Sequence, residues 1–269
     1  MEHSLKSVIS MINEGKIVLP AMQRPFVWRE DRITKLMDSL LRGFPLGMAL
    51  LWKTQSVQRF RRFEKDVKSD TGITVDYDSG SASERYLVLD GQQRLTALYV
   101  ALAGTYESKR MFVNVLSGVK GERDTSEAYW DCRFLTQAEA SSLNEWPKAD
   151  TEKTGTPGRA VFVRLDELTR FRGKTINRFA ISLAADLGLN EAQTERLTEN
   201  YFIGSLLLSN DRALQFHPID ENSEEPTPME EILEIFVRVN SAGLVLLKSD
   251  LLMSLLAPML FTLRSGWRH

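Results

Sequence analysis

The chain has 269 residues, with 34 lysines and arginines against 36 aspartates and glutamates and a formal net charge of −2 at pH 7. That length allows one large domain or two small ones, and the near-balance of charge excludes a surface that is positive all over, so a polyanion can be met only by a local patch. The single cysteine, Cys132, excludes an intramolecular disulfide and a thiolate-rich zinc site, and the three histidines (His3, His217, His269) are far apart in sequence. The stretch MEHSLKSVISMINEG has no continuous apolar core of a secretory signal. No segment reaches the roughly 20 apolar residues of a membrane helix, and the composition fits a reducing cytoplasm.

In chain order, Ser4 can cap a helix with Leu5, Val8, Ile9 and Ile12 on one face and Gly15 at its end. KIVLP reads as a short strand. A second helix starts near Glu30, with Ile33, Leu36, Met37, Leu40 and Leu41 as its stripe and Gly43 as its stop, and GMALLWK is the next strand. Residues 54–85 are polar, carry Gly, Ser and Asp clusters and show no periodicity, which predicts a long loop or insertion. RYLVLD is a strand, and Leu95, Leu98, Tyr99 and Leu102 mark the helix after Gly91. Further strands are expected at MFVNVL, YWDCRFL, AVFVRL and QFHPI. Helices are expected at about 174–187, 190–209 and 228–239, the last opened by Thr227-Pro228. The apolar run Leu251 to Leu263, interrupted by Pro258, suggests a chain that normally continues or is completed by a partner. Strands alternating with helices argue for a layered α/β or α+β fold.

The chemistry concentrates in LVLDGQQRLTAL, where a buried strand hands over to a helix at Asp90-Gly91-Gln92-Gln93-Arg94. A helix N-terminus presents unpaired N–H groups and partial positive charge, so this turn can hold an anion such as phosphate. Gly91 lets the backbone approach closely. Arg94, in the first turn, is disfavoured by the helix dipole and needs solvent or an anion. Gln92 and Gln93 can each donate and accept, which suits a ribose, a base edge or an attacking water. Asp90 could hold Mg²⁺ or orient Arg94. The residues leave a plainer alternative open: Asp90 caps the helix and Arg94 pairs with it on the surface.

Other segments carry similar choices. In MQRPFVWRED, Arg24 could clamp a phosphate and Gln23 could read a base or orient water, while Phe26 and Trp28 are expected in the core. Arg59, Arg61 and Arg62 interleave with Phe60 and Phe63 as nucleic-acid-tracking surfaces do, or form a solvated loop. Arg238 and Asn240, before Ser241-Ala242-Gly243, could contact a second phosphate or base, or form a C-cap network. The acidic run from Asp220 to Glu225 is most simply a solvated loop.

LVLDGQQRLTAL resembles the signature of the N-terminal domain of GmrSD-type restriction endonucleases, a branch of the ParB/sulfiredoxin-like superfamily that includes the phosphorothioate-sensing SspE proteins. LPAMQRPFVWREDRITKLMDSLLRGFPLGMALLW and IFVRVNSAGLVLLKSDLLMSLL fit the same family, so the resemblance runs from about Ser4 to Leu256. It implies an α+β fold: a ParB/sulfiredoxin-like mixed sheet with surrounding helices over 1–170, with the insertion near 54–85, then a mostly helical part over 171–269 that completes the core. It further implies a nucleoside-triphosphate-hydrolysing regulatory domain of a modification-dependent, type IV-like anti-phage restriction system. Such a domain would use Mg²⁺, act on modified or foreign DNA and work with an HNH nuclease domain or subunit, with homodimerisation left open.

By position, Asp90, Gly91, Gln92, Gln93 and Arg94 occupy the family's hydrolysis motif and Gln23 and Arg24 its Gln-Arg pair. Phe236, Arg238, Asn240, Gly243 and Asp250 occupy its C-terminal segment, with Asp90 and Asp250 as candidate metal ligands; Ala242 stands where the family often has glycine. Sulfiredoxin chemistry is excluded because no cysteine lies in the turn. The alternative is a ParB-like DNA-binding or DNA-nicking module without nucleotide turnover.

Overall fold

A computed structural model describes residues 3–21, 23–55, 59–68, 76–77, 84–118, 129–145, 160–170, 174–209, 213–220, 223 and 227–240. Helix α1 (Leu5–Asn13) is capped by Ser4, whose hydroxyl accepts from the Ser7 amide, and it buries Leu5, Val8 and Ile12. After Gly15 in the left-handed region (φ 70°), strand β1 (Ile17–Pro20) is buried throughout. Helix α2 (Glu30–Leu41) places Glu30 and Asp31 at its positive end and buries Ile33, Met37, Leu40 and Leu41. Strand β2 (Met48–Thr54) leads into the stretch expected as a loop, which instead holds β3 (Arg59–Arg61), β4 (Asp66–Val67) and β5 (Asp76–Tyr77). These strands are too short to show a period-two pattern among polar residues, and β3 is fixed by pairing with β1.

Strand β6 (Arg85–Asp90) then passes into α3 (Gln92–Ala103), nearly all of whose residues are buried. The two-residue β7 (Thr105–Tyr106), β8 (Arg110–Asn114), β9 (Cys132–Leu135), helix α4 (Gln137–Glu145), β10 (Phe162–Arg164) and the one-turn helix α5 (Leu165–Leu168) follow. Of these, β7, α4 and α5 are additions to the sequence-based expectation. Helices α6 (Lys174–Asp186) and α7 (Glu191–Leu207), strand β11 (Gln215–Asp220) and α8 (Met229–Asn240) agree with it, and α7 opens on a capping box between Asn190 and Gln193.

The main sheet has the order β11-β2-β6-β1-β3-β5, with β1 parallel to β6, β11 parallel to β2, and the remaining pairs antiparallel. It is therefore a mixed sheet in an α+β fold. One face, with Leu19, Ala49, Leu51 and Val88, packs in the larger core with α1, α2 and α3, a core that also takes in Met111, Phe134, Leu168 and Tyr201. The opposite face, with Val18, Leu50, Trp52, Phe60, Leu87, Leu89 and Ile219, is packed against Ile232 and Phe236 of α8. Strands β10, β8 and β9 form a separate antiparallel sheet, and β4 pairs with β7.

Strand β11 lies in full register beside β2, from Gln215 opposite Met48 to Asp220 opposite Lys53. Asp220, from the acidic run, accepts a hydrogen bond from Lys53 at 2.9 Å, and Glu84 lies 3.0 Å from the same ammonium. The bond to Asp220, then that to Glu84, holds Lys53 charged above the usual lysine range. The second half of the chain thus supplies an edge strand of the main sheet. Cys132 is buried, which pushes its thiol pKa up and fits an inert thiol. Among the described residues, no helix is long and apolar enough to cross a membrane.

Asp38 ties α2 to the segment that enters β9. It is 4% exposed, accepts from the Trp130 amide at 2.6 Å ahead of β9, and lies 3.5 Å from Arg42. Replacing Asp38 with Ala leaves that amide buried without an acceptor and is expected to destabilise the protein by about 1–3 kcal/mol, read as a lower midpoint in urea unfolding.

Candidate functional site

Strands β1 and β6 are parallel and end at Pro20 and Asp90, while β2, antiparallel to β6, begins at Met48 beside them. The exit of β1, the entry to β2 and the start of α3 therefore gather at one edge of the sheet, where crevices at strand carboxyl ends commonly bind ligands. The exit of β6 is irregular: Leu50 faces Asp90 but Leu51 faces Val88, so Leu89 is an extra residue, a β-bulge one position before Asp90. Gly91 follows at φ 87° as the N-cap of α3, and no side chain caps the helix. A Cβ at Gly91 would lie 3.0 Å from the Ala49 Cβ and 3.2 Å from its Cα. Both the left-handed backbone and the close approach to β2 thus require glycine.

Of the residues singled out in the sequence, Gln23, Arg24 and the Asp90–Arg94 turn meet here. Gln23 is 6% exposed, and its Nε2 donates to the Val88 carbonyl at 2.8 Å and the Leu89 carbonyl at 3.0 Å. It thereby serves the bulge just past the point where β1, ending in a proline without an N–H, pairs with β6. Its Oε1 is buried without a hydrogen bond among the described residues. Gln92 Nε2 donates to the Arg24 carbonyl at 2.7 Å. Gln93 Nε2 donates to the Pro25 carbonyl at 3.0 Å, and its Oε1 accepts from the Val27 amide at 3.0 Å. Arg61 Nη2 donates to the Gln23 carbonyl at 2.8 Å and the Arg24 carbonyl at 3.3 Å. The two helix glutamines and Arg61 together fix the backbone of residues 23–27.

This placement changes the roles that the residue types alone suggested. Three of the four amide atoms of Gln92 and Gln93 are engaged with the 23–27 backbone; the Gln92 Oε1 is the one with no hydrogen bond among the described residues. Arg94 donates to the Leu46 carbonyl at 2.5 Å and the Met48 carbonyl at 2.9 Å, with Asp90 at 3.8 Å. Two carbonyls and one carboxylate thus supply the negative partners that a cation in the first helical turn needs. Its guanidinium occupies the space left by Gly47, where a Cβ would collide with Nη1. Gly47 was not singled out in the sequence, and its signal is the glycine before the strand MALLWK. Arg24 is exposed, and its guanidinium has no partner among the described residues.

The interleaved cations do not form one surface. Arg61 is 5% exposed beneath the 23–24 backbone, so it is not a surface contact for nucleic acid. Arg62 is exposed over Gly15 at the far end of β1, with Nη1 3.3 Å from where a Gly15 Cβ would be. Phe60 and Phe63 are core residues, the first stacked under Arg85 and the second edge-on to Tyr99. Arg59 begins β3 at the edge of the turn. Arg238, near the end of α8, is exposed and pairs with Glu234 one turn earlier, and Asn240 is the last residue of that helix. Gly243 and Asp250 lie outside the described residues. No cluster of three or more His, Cys, Asp or Glu side chains able to hold a metal occurs among the described residues.

An open cleft of about 430 Å³ lies elsewhere, at the far end of α3, lined by Lys6, Leu102, Asp166, Arg170 and neighbours. None of the candidate residues reaches it. We therefore take as the candidate site the carboxyl end of β1 and β6, where polar groups converge, rather than that cleft. Gln93→Ala removes both ties to residues 25–27; the Val27 amide is expected to exchange with deuterium faster, and stability to fall by about 1–3 kcal/mol, measured by hydrogen exchange and urea unfolding.

The chain is 29% identical over 170 residues to an uncharacterized protein of Methanocaldococcus jannaschii, an alignment that takes in 57% of this chain and 27% of that protein. The chain therefore spans about a quarter of that relative's length. A family model described as GmrSD restriction endonuclease, N-terminal domain, matches residues 5–257, a span that includes the clasped 23–27 segment, the Asp90–Arg94 turn and α8. With nearly its whole length matched, the chain belongs to the family of GmrSD restriction endonuclease N-terminal domains, which connects it with restriction endonuclease systems.

Proposed function

We propose that the Asp90–Arg94 turn and the 23–27 segment form a nucleoside triphosphate site whose hydrolysis regulates DNA restriction by a nuclease domain or subunit. The observation that carries this is the left-handed Gly91 start of α3, capped by no side chain, with the Arg24 backbone tied to its first turn by Gln92; the Arg24 guanidinium is exposed and has no partner among the described residues. Bare first-turn amides and a free cation are complementary to phosphate oxygens. The family's connection with restriction supports the regulatory role. Modified or foreign DNA, an HNH nuclease partner and action in the cytoplasm belong to the same reading.

Hydrolysis here is a matter of positioning and electrostatics. Water attacks the γ-phosphorus, the bond from that phosphorus to the β–γ bridging oxygen breaks, and nucleoside diphosphate and phosphate leave. Arg24 contacts the phosphates, while Arg94 fixes the entry to β2 on which Gly91 packs. Gln92 Oε1, which has no hydrogen bond among the described residues, accepts a hydrogen bond from the attacking water and orients it, and the water's proton stays with the phosphate product; Gln93 positions the loop. Mg²⁺ commonly takes one or two carboxylates plus substrate phosphates. The part-exposed Asp90 fits the carboxylate position, and the ion would neutralise phosphate charge there.

Purified protein with Mg²⁺ and each of the four ribonucleoside triphosphates, with and without DNA, is expected to release phosphate with a preference for one base. In the Arg24→Ala variant the KM is expected to rise roughly tenfold to a hundredfold, the loss of a charge-assisted contact, with an unchanged Tm because the side chain has no protein partner to lose. Salt-sensitive DNA binding with no phosphate release from any triphosphate would instead assign the turn to DNA.

A further inference from the structure

Arg61 combines features that seldom occur together. Its side chain is 5% exposed, its Nη2 donates only to neutral carbonyls, and its Nε is buried with no hydrogen bond among the described residues. No carboxylate lies within ion-pair distance of it among the described residues; Glu64 acts on it only at longer range. Burial lowers the Arg61 pKa from its ordinary value and raises that of Glu64, with the attraction between the two opposing both shifts. Arginine nevertheless stays protonated in proteins, so Arg61 is a buried positive charge with no counter-charge in contact among the described residues. Unpaired buried charges are strongly unfavourable and are normally paired or eliminated.

The position of this charge supplies a reason. It sits against the backbone of Gln23 and Arg24, and the Arg24 carbonyl is shared between Arg61 and Gln92 at the first turn of α3. The uncapped amides of that turn have the same electrostatic need for an anion. We propose that Arg61 is a positioning residue and the buried counter-charge of the phosphate site: it holds the 23–24 backbone so that Arg24 meets the phosphates, and a bound polyphosphate neutralises its charge from outside. This inference rests on the nucleotide reading above. It assigns to the site a preference for the more highly charged phosphate chains, because a fixed buried charge attracts a triphosphate more than a monophosphate.

Calorimetric titration of wild type, Arg61→Met and Arg61→Lys with the mono-, di- and triphosphates of adenosine and guanosine tests it. In Arg61→Met the loss of affinity is expected to grow along the series, reaching about tenfold or more for the triphosphate, the size expected from one unit charge nearby in a partly polar interior. Arg61→Lys, which keeps the charge, is expected to restore the gradation. A loss of equal size for all three phosphates, or no loss in a folded Arg61→Met protein, would overturn the inference while leaving nucleotide binding intact. Absence of binding by the wild type would overturn both. If Arg61→Met does not fold, as judged by circular dichroism, Arg61→Gln replaces it, since it can still donate to one carbonyl without the charge.

Discussion

After Pro20 the backbone leaves the sheet and crosses the start of α3, where no strand ladder receives its carbonyl oxygens. Those oxygens must nevertheless be paired where they are buried, since each orphaned group costs about 1–3 kcal/mol. The pairing comes from side chains: Arg61 from β3 and Gln92 and Gln93 from α3 reach residues 23–25, and Gln93 also receives the Val27 amide. Gln23 reaches in the other direction, to the bulged end of β6. Each anchor in this mesh is an amide or a guanidinium, groups that offer several donors in a fixed plane. These ties specify the backbone of residues 23–27 more strongly than apolar packing alone, while Gln23 Oε1 and Arg61 Nε stay buried without a hydrogen bond among the described residues.

The two arginines of this edge solve opposite problems. Arg94 stands at the positive end of a helix and is stabilised by the carbonyls of Leu46 and Met48 and by Asp90. Arg61 stands under a loop and, among the described residues, is held by carbonyls and by no carboxylate in contact. The helix itself starts on glycine rather than on a capping Ser, Thr, Asp or Asn. Among the described residues, a carboxylate thus stands beside the arginine that faces β2 and none in contact with the one beneath residues 23–24.

Much of the architecture was legible in the sequence because its periodic elements are long and amphipathic. The stripe of α2, the continuous apolar run of β2 and the Thr227-Pro228 start of α8 each announce themselves. The strands within 54–85 were not legible, because two or three polar residues carry no period and owe their conformation to partners such as Leu19 and Pro20. At the site, the sequence singled out Gln23, Arg24 and the Asp90–Arg94 turn, but it showed neither what their side chains do nor that Arg62 lies over Gly15 at the other end of β1. Two glutamines and an arginine after a glycine suggest ligand chemistry by type, yet most of their polar atoms are directed to the protein's own backbone. Arg61 and Phe60 are adjacent in a charged-aromatic run. Only the strand pairing shows that one serves the 23–24 loop and the other the core against α8.

The main sheet is completed by a strand made late. Residues Lys53 and Asp220, joined across β2 and β11, are 167 positions apart, with both core helices α6 and α7 between them. During synthesis, β2 therefore waits with an open edge and an apolar row that includes Leu50 and Trp52. At typical elongation rates that wait lasts roughly eight to thirty seconds. An unpaired apolar edge is the feature that recruits chaperones or recruits other copies of itself. The nascent protein's hazard is thus set by the order of its strands in the sheet and is independent of the stability of the finished fold.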